Sequence, residues 1–275
     1  MSGDFLATMA RASRERVGRA KLERSGAQLE RLARRTPAPP PLLLDASGFD
    51  LIAELKLRSP AAGALAGAGV DVAARACAYA RAGACAVSVL TEPSRFDGTL
   101  GHLAEASAAL APRAVPVMRK DFLTDPYQVL EARVAGAAGV LVIVRMLTPA
   151  ELAALLDCAR EHGLFVLLET FDEADIERLN ELLARRRDQQ GLLAGVNCRD
   201  LATLEVVPER LIELAASLPR GLPRVAESGI ARGADARRAA SAGYTLALVG
   251  SALMRGEDPQ ALAAELLAAG RAARA

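Results

Sequence analysis

The chain has 275 residues, of which 52% are hydrophobic and only 3% aromatic, with no Trp, and its 34 basic against 33 acidic residues leave a formal net charge of +1. That length holds two small domains or one large α/β barrel. The near balance of charge gives no basic surface for nucleic acid or for an anionic membrane, and no stretch reaches the roughly 20 uncharged apolar residues of a membrane span.

The first 26 residues, MSGDFLATMARASRERVGRAKLERSG, carry a charge every few positions and lack the apolar centre of a signal peptide. Residues 4–35 read as one extra charged helical segment, placed to cap a barrel or cover its active site. The stretch 36–45, TPAPPPLLLD, reads as a stiff linker. From Asp50 onward, short runs rich in Val, Ile, Leu and Ala alternate with longer segments of helical period, the pattern of βα units around a parallel sheet. The expected strands are 51–55, 86–90, 115–118, 139–144, 165–168, 193–196, 223–226 and 246–249. Helices are expected between them, for instance over 125–135 and 149–162, the latter with Thr148 as N-cap and Pro149 at its first position. Residues 185–191, RRRDQQG, read as a solvated extension between the fifth helix and sixth strand.

Eight units in this length fit a closed (β/α)8 barrel of the TIM class, whereas a doubly wound sheet more often has five or six and a Gly-rich first turn. The expected organisation is an N-terminal helical extension and Pro-rich linker over 1–45 followed by the barrel over 46–275, one structural domain overall. Cys77, Cys85, Cys158 and Cys198 are far apart, with no C-x-x-C motif and no His-rich companion, so neither a zinc site nor a disulfide framework is indicated. Reduced thiols in a cytoplasm fit this pattern.

Lysine usage gives the sharpest chemical clue. Lys21, Lys56 and Lys120 are the three lysines among 34 basic residues, which leaves 31 arginines. Arg is flat and always charged, whereas an ammonium is compact and able to transfer a proton, so Lys is expected where a guanidinium will not serve. Lys56 and Lys120 each follow an apolar strand run; Lys21 lies in the charged N-terminal segment and reads as solvated.

Chemistry in such barrels sits at the C-terminal strand ends, and ionisable groups collect there: Glu54 and Lys56 after strand one, Lys120 after strand three, Glu169 after five, Asn197 and Arg199 after six, Glu227 after seven. Alternation sends Glu54 and Lys56 to the same inward side. Arg119 and Asp121 fall on the opposite side and are expected to support the layer between barrel and helices. Any one of these charges would serve equally well as a rim ion pair. The set resembles an acid/base site in which burial and opposed charges shift proton affinities. Two glycine turns, at Ser228-Gly229 and Gly250-Ser251, occupy the two loops where barrel enzymes often bind phosphate, and Lys56 and Ser59 are placed to reach the same anion.

Taken together, IAELKLRSP, SVLTEPSRFDG, RKDFLTDPYQVLEAR, GVNCRDL, VAESGI and LVGSALMRGEDP, in this order from Leu51 to Pro259, resemble the indole-3-glycerol-phosphate synthase family of tryptophan biosynthesis. The resemblance implies ring closure of 1-(2-carboxyphenylamino)-1-deoxyribulose 5-phosphate, with loss of carbon dioxide and water and with no metal or organic cofactor. It implies Lys120 as general acid, Glu169 as general base, and Lys56 at the substrate carboxylate. Glu54 and Glu227 would tune these charges, and Asn197 would hold a substrate hydroxyl or amine. Arg199 matches the arginine of its turn, and Ser228, Gly229, Gly250 and Ser251 the phosphate cradle. Phe96, Phe122 and Leu141 fall where the family packs the substrate's aromatic ring, although each equally suits a core.

Two departures stand out: Ala61 replaces a common Ser after Ser59-Pro60, and Cys198, expected to face away from the mouth, replaces a common Asn. The implied partner is a small phosphorylated substrate, with the protein a monomer or weak homodimer and any partner enzyme a separate chain. The rival readings are a paralogue acting on a modified anthranilate derivative, a phosphosugar or phosphoribosylanthranilate isomerase, for which a Cys/Asp acid–base pair would be expected, and a non-catalytic phosphate-binding barrel, for which loss of Lys120 or Glu169 would be expected.

Overall fold

The computed structural model describes residues 5–60, 63–65, 70–201 and 203–274. Eight parallel strands close into a barrel: β1 (Asp50–Leu55), β2 (Ala86–Leu90), β3 (Val117–Lys120), β4 (Gly139–Ile143), β5 (Phe165–Thr170), β6 (Leu192–Asn197), β7 (Arg224–Glu227) and β8 (Leu246–Val249). Each strand pairs with the next, and β1 pairs with β8 through Asp50↔Leu246 to Ala53↔Val249, which closes the ring.

Alternation along these strands separates two apolar layers. Ile52, Met118, Leu141, Leu167, Leu193, Val225 and Leu246 fill the barrel interior. Leu51, Ala53, Val87, Val140, Val166, Val196 and Ala247 face outward and pack under the helices. Phe165 lies over its paired neighbour Gly139 on β4, where any Cβ would overlap its ring; a large side chain on one strand thus fits because its neighbour has none.

The outer ring comprises α3 (Val72–Arg81), α5 (Leu100–Leu110), α6 (Pro126–Val134), α7 (Pro149–Glu161), α8 (Glu173–Ala184), α9 (Glu209–Ala215), α10 (Gly233–Ser241) and α12 (Pro259–Ala272), with short helices α4 (Pro93–Phe96) and α11 (Ser251–Arg255) at the C-terminal face. Thr148 caps α7 in a capping box with Glu151, and Pro149 opens it, as the sequence suggests. Residues 185–191 are mostly exposed, and Arg186 pairs with Asp157 at 2.7 Å.

Three expectations need correction. The N-terminal segment is two helices, α1 (Phe5–Glu23) and α2 (Gly26–Arg35), because Ser25 leaves helical geometry to cap α2 in a box with Gln28. The third strand begins at Val117, after Pro116, which has no N–H to give a ladder, and runs on to Lys120. Lys21 is half exposed yet engaged: its ammonium pairs with Asp125 at 2.6 Å and lies 5.8 Å from the Tyr127 ring centre.

At the opposite end of the barrel, Arg271 of α12 bonds Asp50 and the Phe49 carbonyl. Among the described residues, no helix is long and apolar enough to cross a membrane.

Candidate active site

A cavity of about 580 Å³ opens at the C-terminal ends of the strands. All fifteen residues expected from sequence line it: Glu54, Lys56, Ser59, Phe96, Lys120, Phe122, Leu141, Glu169, Asn197, Arg199, Glu227, Ser228, Gly229, Gly250 and Ser251. Ala61 lies outside the described residues.

The polar floor is an array of ion pairs raised on five strands. Lys120 closes β3, and its Nζ lies 3.3 Å from Glu169 Oε1 of β5 and 3.1 Å from Glu227 Oε2 of β7. The Asn197 amide at the end of β6 donates to Glu169 Oε1 at 2.7 Å. Beside them, Lys56 Nζ pairs with Glu54 Oε1 at 2.6 Å. The three carboxylates are buried, whereas the two ammonium groups keep some exposure toward the cavity. The anions therefore form the base of the site, and the cations face an incoming ligand.

Burial opposes charge on Lys120, but Glu169, then Glu227 and Glu54, outweigh it and hold the ammonium above its ordinary range. Burial likewise opposes the charge on Glu54, yet Lys56 and Lys120 keep its carboxyl below its ordinary value. For Glu227 the balance reverses. Burial pushes it up, Lys120 pulls it down and Glu169 adds to the rise, leaving it at about 8. Its Oε1 is buried without a hydrogen-bond partner among the described residues, in space that exists because β6 carries Gly195, whose Cβ would overlap that oxygen.

At one side of the cavity the two glycine turns come together. Ser228 and Gly229 both adopt left-handed backbone, with φ of 66° and 72°, a conformation costly for Ser and easy for Gly. Gly250 precedes α11, and its bare Cα lets the chain pass against Glu54 and Lys56; a Cβ would overlap the Glu54 carboxyl and sit 3.0 Å from Lys56 Nζ. Ser59 lies in a small hairpin of Arg58–Ser59 with Gly63–Ala64. Arg199 donates its backbone N–H to Asn197 Oδ1, and its guanidinium donates to the Leu204 carbonyl.

The other side is apolar. Phe96 and Phe122 lie 6.2 Å apart between ring centres, with Leu141 and Ile143 below and Phe171 alongside. Cys198 is fully buried in the layer outside the strands, facing away from the mouth as expected. Arg119 is buried there too, bonded to Thr91, the Gln128 carbonyl, Glu131 and Asp121. Asp121 reaches the cavity wall, but its carboxylate is spent on Arg119, Thr91 and Arg16.

Sequence reading missed the individual residues that α1 contributes. Phe5 and Leu6 line the cavity, and Phe5 meets Phe122 edge to face at 5.9 Å. The available signal was the helical spacing of the apolar residues Leu6, Met9, Ala10 and Val17, all buried on the face that begins beside Phe5.

A closed (β/α)8 barrel with acids, ammonium groups and a half-apolar cavity at its C-terminal mouth has the build of a barrel enzyme. The family model described as indole-3-glycerol phosphate synthase matches residues 6–266. Relatives named indole-3-glycerol phosphate synthase include one from Parafrankia sp. (strain EAN1pec), 44% identical over 250 residues that cover 90% of this chain and 89% of the relative. Another, from Mycobacterium avium (strain 104), is 41% identical and covers 85% and 83%. The chain belongs to the indole-3-glycerol phosphate synthase family. Among solved structures, 3-hexulose-6-phosphate synthase from Salmonella typhimurium superposes with a TM-score of 0.59 at 16% identity, over 80% of this chain and 97% of that one. At that identity the likeness speaks for the fold alone.

Proposed function

We propose that Lys120 and Glu169 carry the acid and base steps of an indole-3-glycerol phosphate synthase, acting on 1-(2-carboxyphenylamino)-1-deoxyribulose 5-phosphate in the cavity described above. The observation that carries this reading is the placement of Lys120 Nζ within 3.3 Å of both Glu169 and Glu227 in a cavity that Phe96, Phe122 and Leu141 also line. Family membership and the relatives' names support the overall reaction.

The substrate's aromatic ring fits against Phe96, Phe122 and Leu141, and its phosphate against the Ser228-Gly229 and Gly250-Ser251 turns, with Ser59, Lys56 and Arg199 nearby. This orientation brings the ketone to Lys120. Ring closure forms a carbon–carbon bond at the ketone carbon, so its oxygen gains negative charge. A held ammonium both stabilises that charge and supplies the proton. Lys56 offsets the substrate carboxylate until the carbon–carbon bond to carbon dioxide breaks. Loss of water then requires a proton to leave the ring system while hydroxide departs with an added proton. Glu169, oriented by Asn197, takes the first, and a lysine ammonium provides the second. Glu54 keeps Lys56 charged and Glu169, with Glu54 behind it, keeps Lys120 charged, while Glu227 tunes Lys120 as it takes up or gives up its own proton. The chain carries this out in the cytoplasm as a monomer or weak homodimer.

The test is incubation with the carboxyphenylamino-deoxyribulose phosphate while indole fluorescence is followed, with Lys120→Met as the paired control. Growth of fluorescence in wild type and a loss of about 10²–10⁴-fold in kcat in the folded variant are expected. A flat trace from folded wild type that still binds the substrate would sink the assignment.

A further inference from the structure

Helix α1 is joined to the ring side of the cavity by one partly buried cation. The Arg16 guanidinium spans two carboxylates with almost no exposure of their own, at 2.7 Å from Asp121 Oδ1 and 3.2 Å from Glu92 Oε1. Each of these carboxylates holds the backbone of a different wall. Glu92 caps α4 by accepting from the Ser94 and Arg95 N–H groups, and α4 ends in Phe96. Asp121 accepts from the Phe122 N–H at 2.8 Å and directly follows Lys120. The same helix binds this loop twice more. Gln128 donates to Ser13 Oγ and accepts from the Thr124 N–H, and Lys21 pairs with Asp125. At its start, α1 sets Phe5 against Phe122.

The two carboxylates are not equally supplied with cations. Asp121 also has Arg119, whereas the only cation paired with Glu92 among the described residues is Arg16. A single side chain thus neutralises the buried group beneath Phe96, shares the one beneath Phe122, and belongs to the helix that presents Phe5. The aromatic wall is built from three separate segments of chain, and Arg16 is the charged link between them.

We infer that Arg16 is a positioning residue for the substrate's aromatic ring: by tying Glu92 and Asp121 together it fixes the spacing of Phe96 and Phe122 and seats α1 over them. This rests on the reading that the ring binds against those phenylalanines. Without the guanidinium, Glu92 is left as a buried carboxylate without its partner, a situation proteins relieve by shifting the surrounding segments or by protonation. The α4 turn and α1 then move apart, and the ring loses a fixed wall. Lys120, Glu169 and the glycine turns keep their own partners. The effect therefore falls on ring binding and ring discrimination rather than on the proton transfers.

The experiment compares wild type, Arg16→Met and Arg16→Lys with the parent substrate and with a substrate methylated on its aromatic ring, and measures inhibition by inorganic phosphate in each. In Arg16→Met, KM for the parent substrate should rise by about tenfold, the scale of one lost ring-wall contact. The preference for parent over methylated substrate should narrow, while kcat, its pH profile and the phosphate inhibition constant stay within about twofold. Arg16→Lys should recover part of the KM. A folded Arg16→Met protein with unchanged KM and unchanged ring preference, whatever its melting temperature, overturns the inference. So does an equal loss of ring and phosphate binding, because the damage would then be general. Wild type that fails to turn over the parent substrate counts against the function itself, a separate outcome.

Discussion

Replacing Glu227 with Gln preserves the size of the side chain and removes its titration. In the folded protein burial raises this carboxyl, with Lys120 opposing and Glu169 assisting, from 4.5 to about 8. The folded state therefore binds that proton more tightly than the unfolded chain. The stability this confers is complete below the unfolded value and is lost as pH rises through about 8. At about 1.4 kcal/mol for each tenfold in proton affinity, the full loss is roughly 5 kcal/mol.

Neighbouring groups leave the window usable. Glu54 and Asp121 are held low by their cations, so their contribution disappears only as pH falls below the ordinary carboxylate range. Lys120 is held high and stays charged throughout. Asp175, raised by burial against the pull of Arg145, has the same sign as Glu227 but is common to both proteins and cancels in the difference. Urea unfolding of wild type and Glu227→Gln at about pH 5, 6, 7 and 8 reads that difference directly. The variant should gain on wild type by several kcal/mol across the series. Parallel stability curves would refute the claim that Glu227 takes up its proton within this range.

Glu169→Gln keeps the hydrogen bond to Asn197 within reach but removes the base, so kcat should fall by about 10²–10⁴-fold with KM little changed, read by indole fluorescence. Gly250→Ala places a methyl on the Glu54 carboxyl and beside Lys56. It should cost about 1–3 kcal/mol in stability and weaken inhibition by inorganic phosphate, measured by urea titration and by competition kinetics; normal phosphate inhibition would remove Gly250 from that role.

The barrel was legible because its two apolar layers alternate so regularly: Ile52 and Glu54 point inward while Leu51, Ala53 and Leu55 point out, and a period of two is visible in a string of letters. The strand-end acids and lysines were legible for the same reason, since each sits in phase with inward residues of its own strand. Strand limits were less so. Glu169 and Thr170 extend β5 by pairing with Gly195 and Val196 of β6, a partnership with another strand that local sequence does not announce. The split between α1 and α2 had a local signal in Ser25 and Gln28, obscured by the even run of charge around it. Arg16 was hidden most completely. Among 31 arginines nothing in its neighbours distinguishes it, because its partners lie 76 and 105 residues away.

The pairing of β1 with β8 bears on how the molecule comes into being. Glu54 and Lys56 are translated early, whereas Gly250, against which they pack, arrives almost two hundred positions later. Asp50 and Phe49 wait longer still for Arg271. On the ribosome the first strand must therefore remain without its final neighbour until residues 246–249 have emerged. Turnover by a nascent chain would then mark the moment the ring shuts, and ribosome-bound chains arrested before residue 249 should be inactive however much of their helical content has formed.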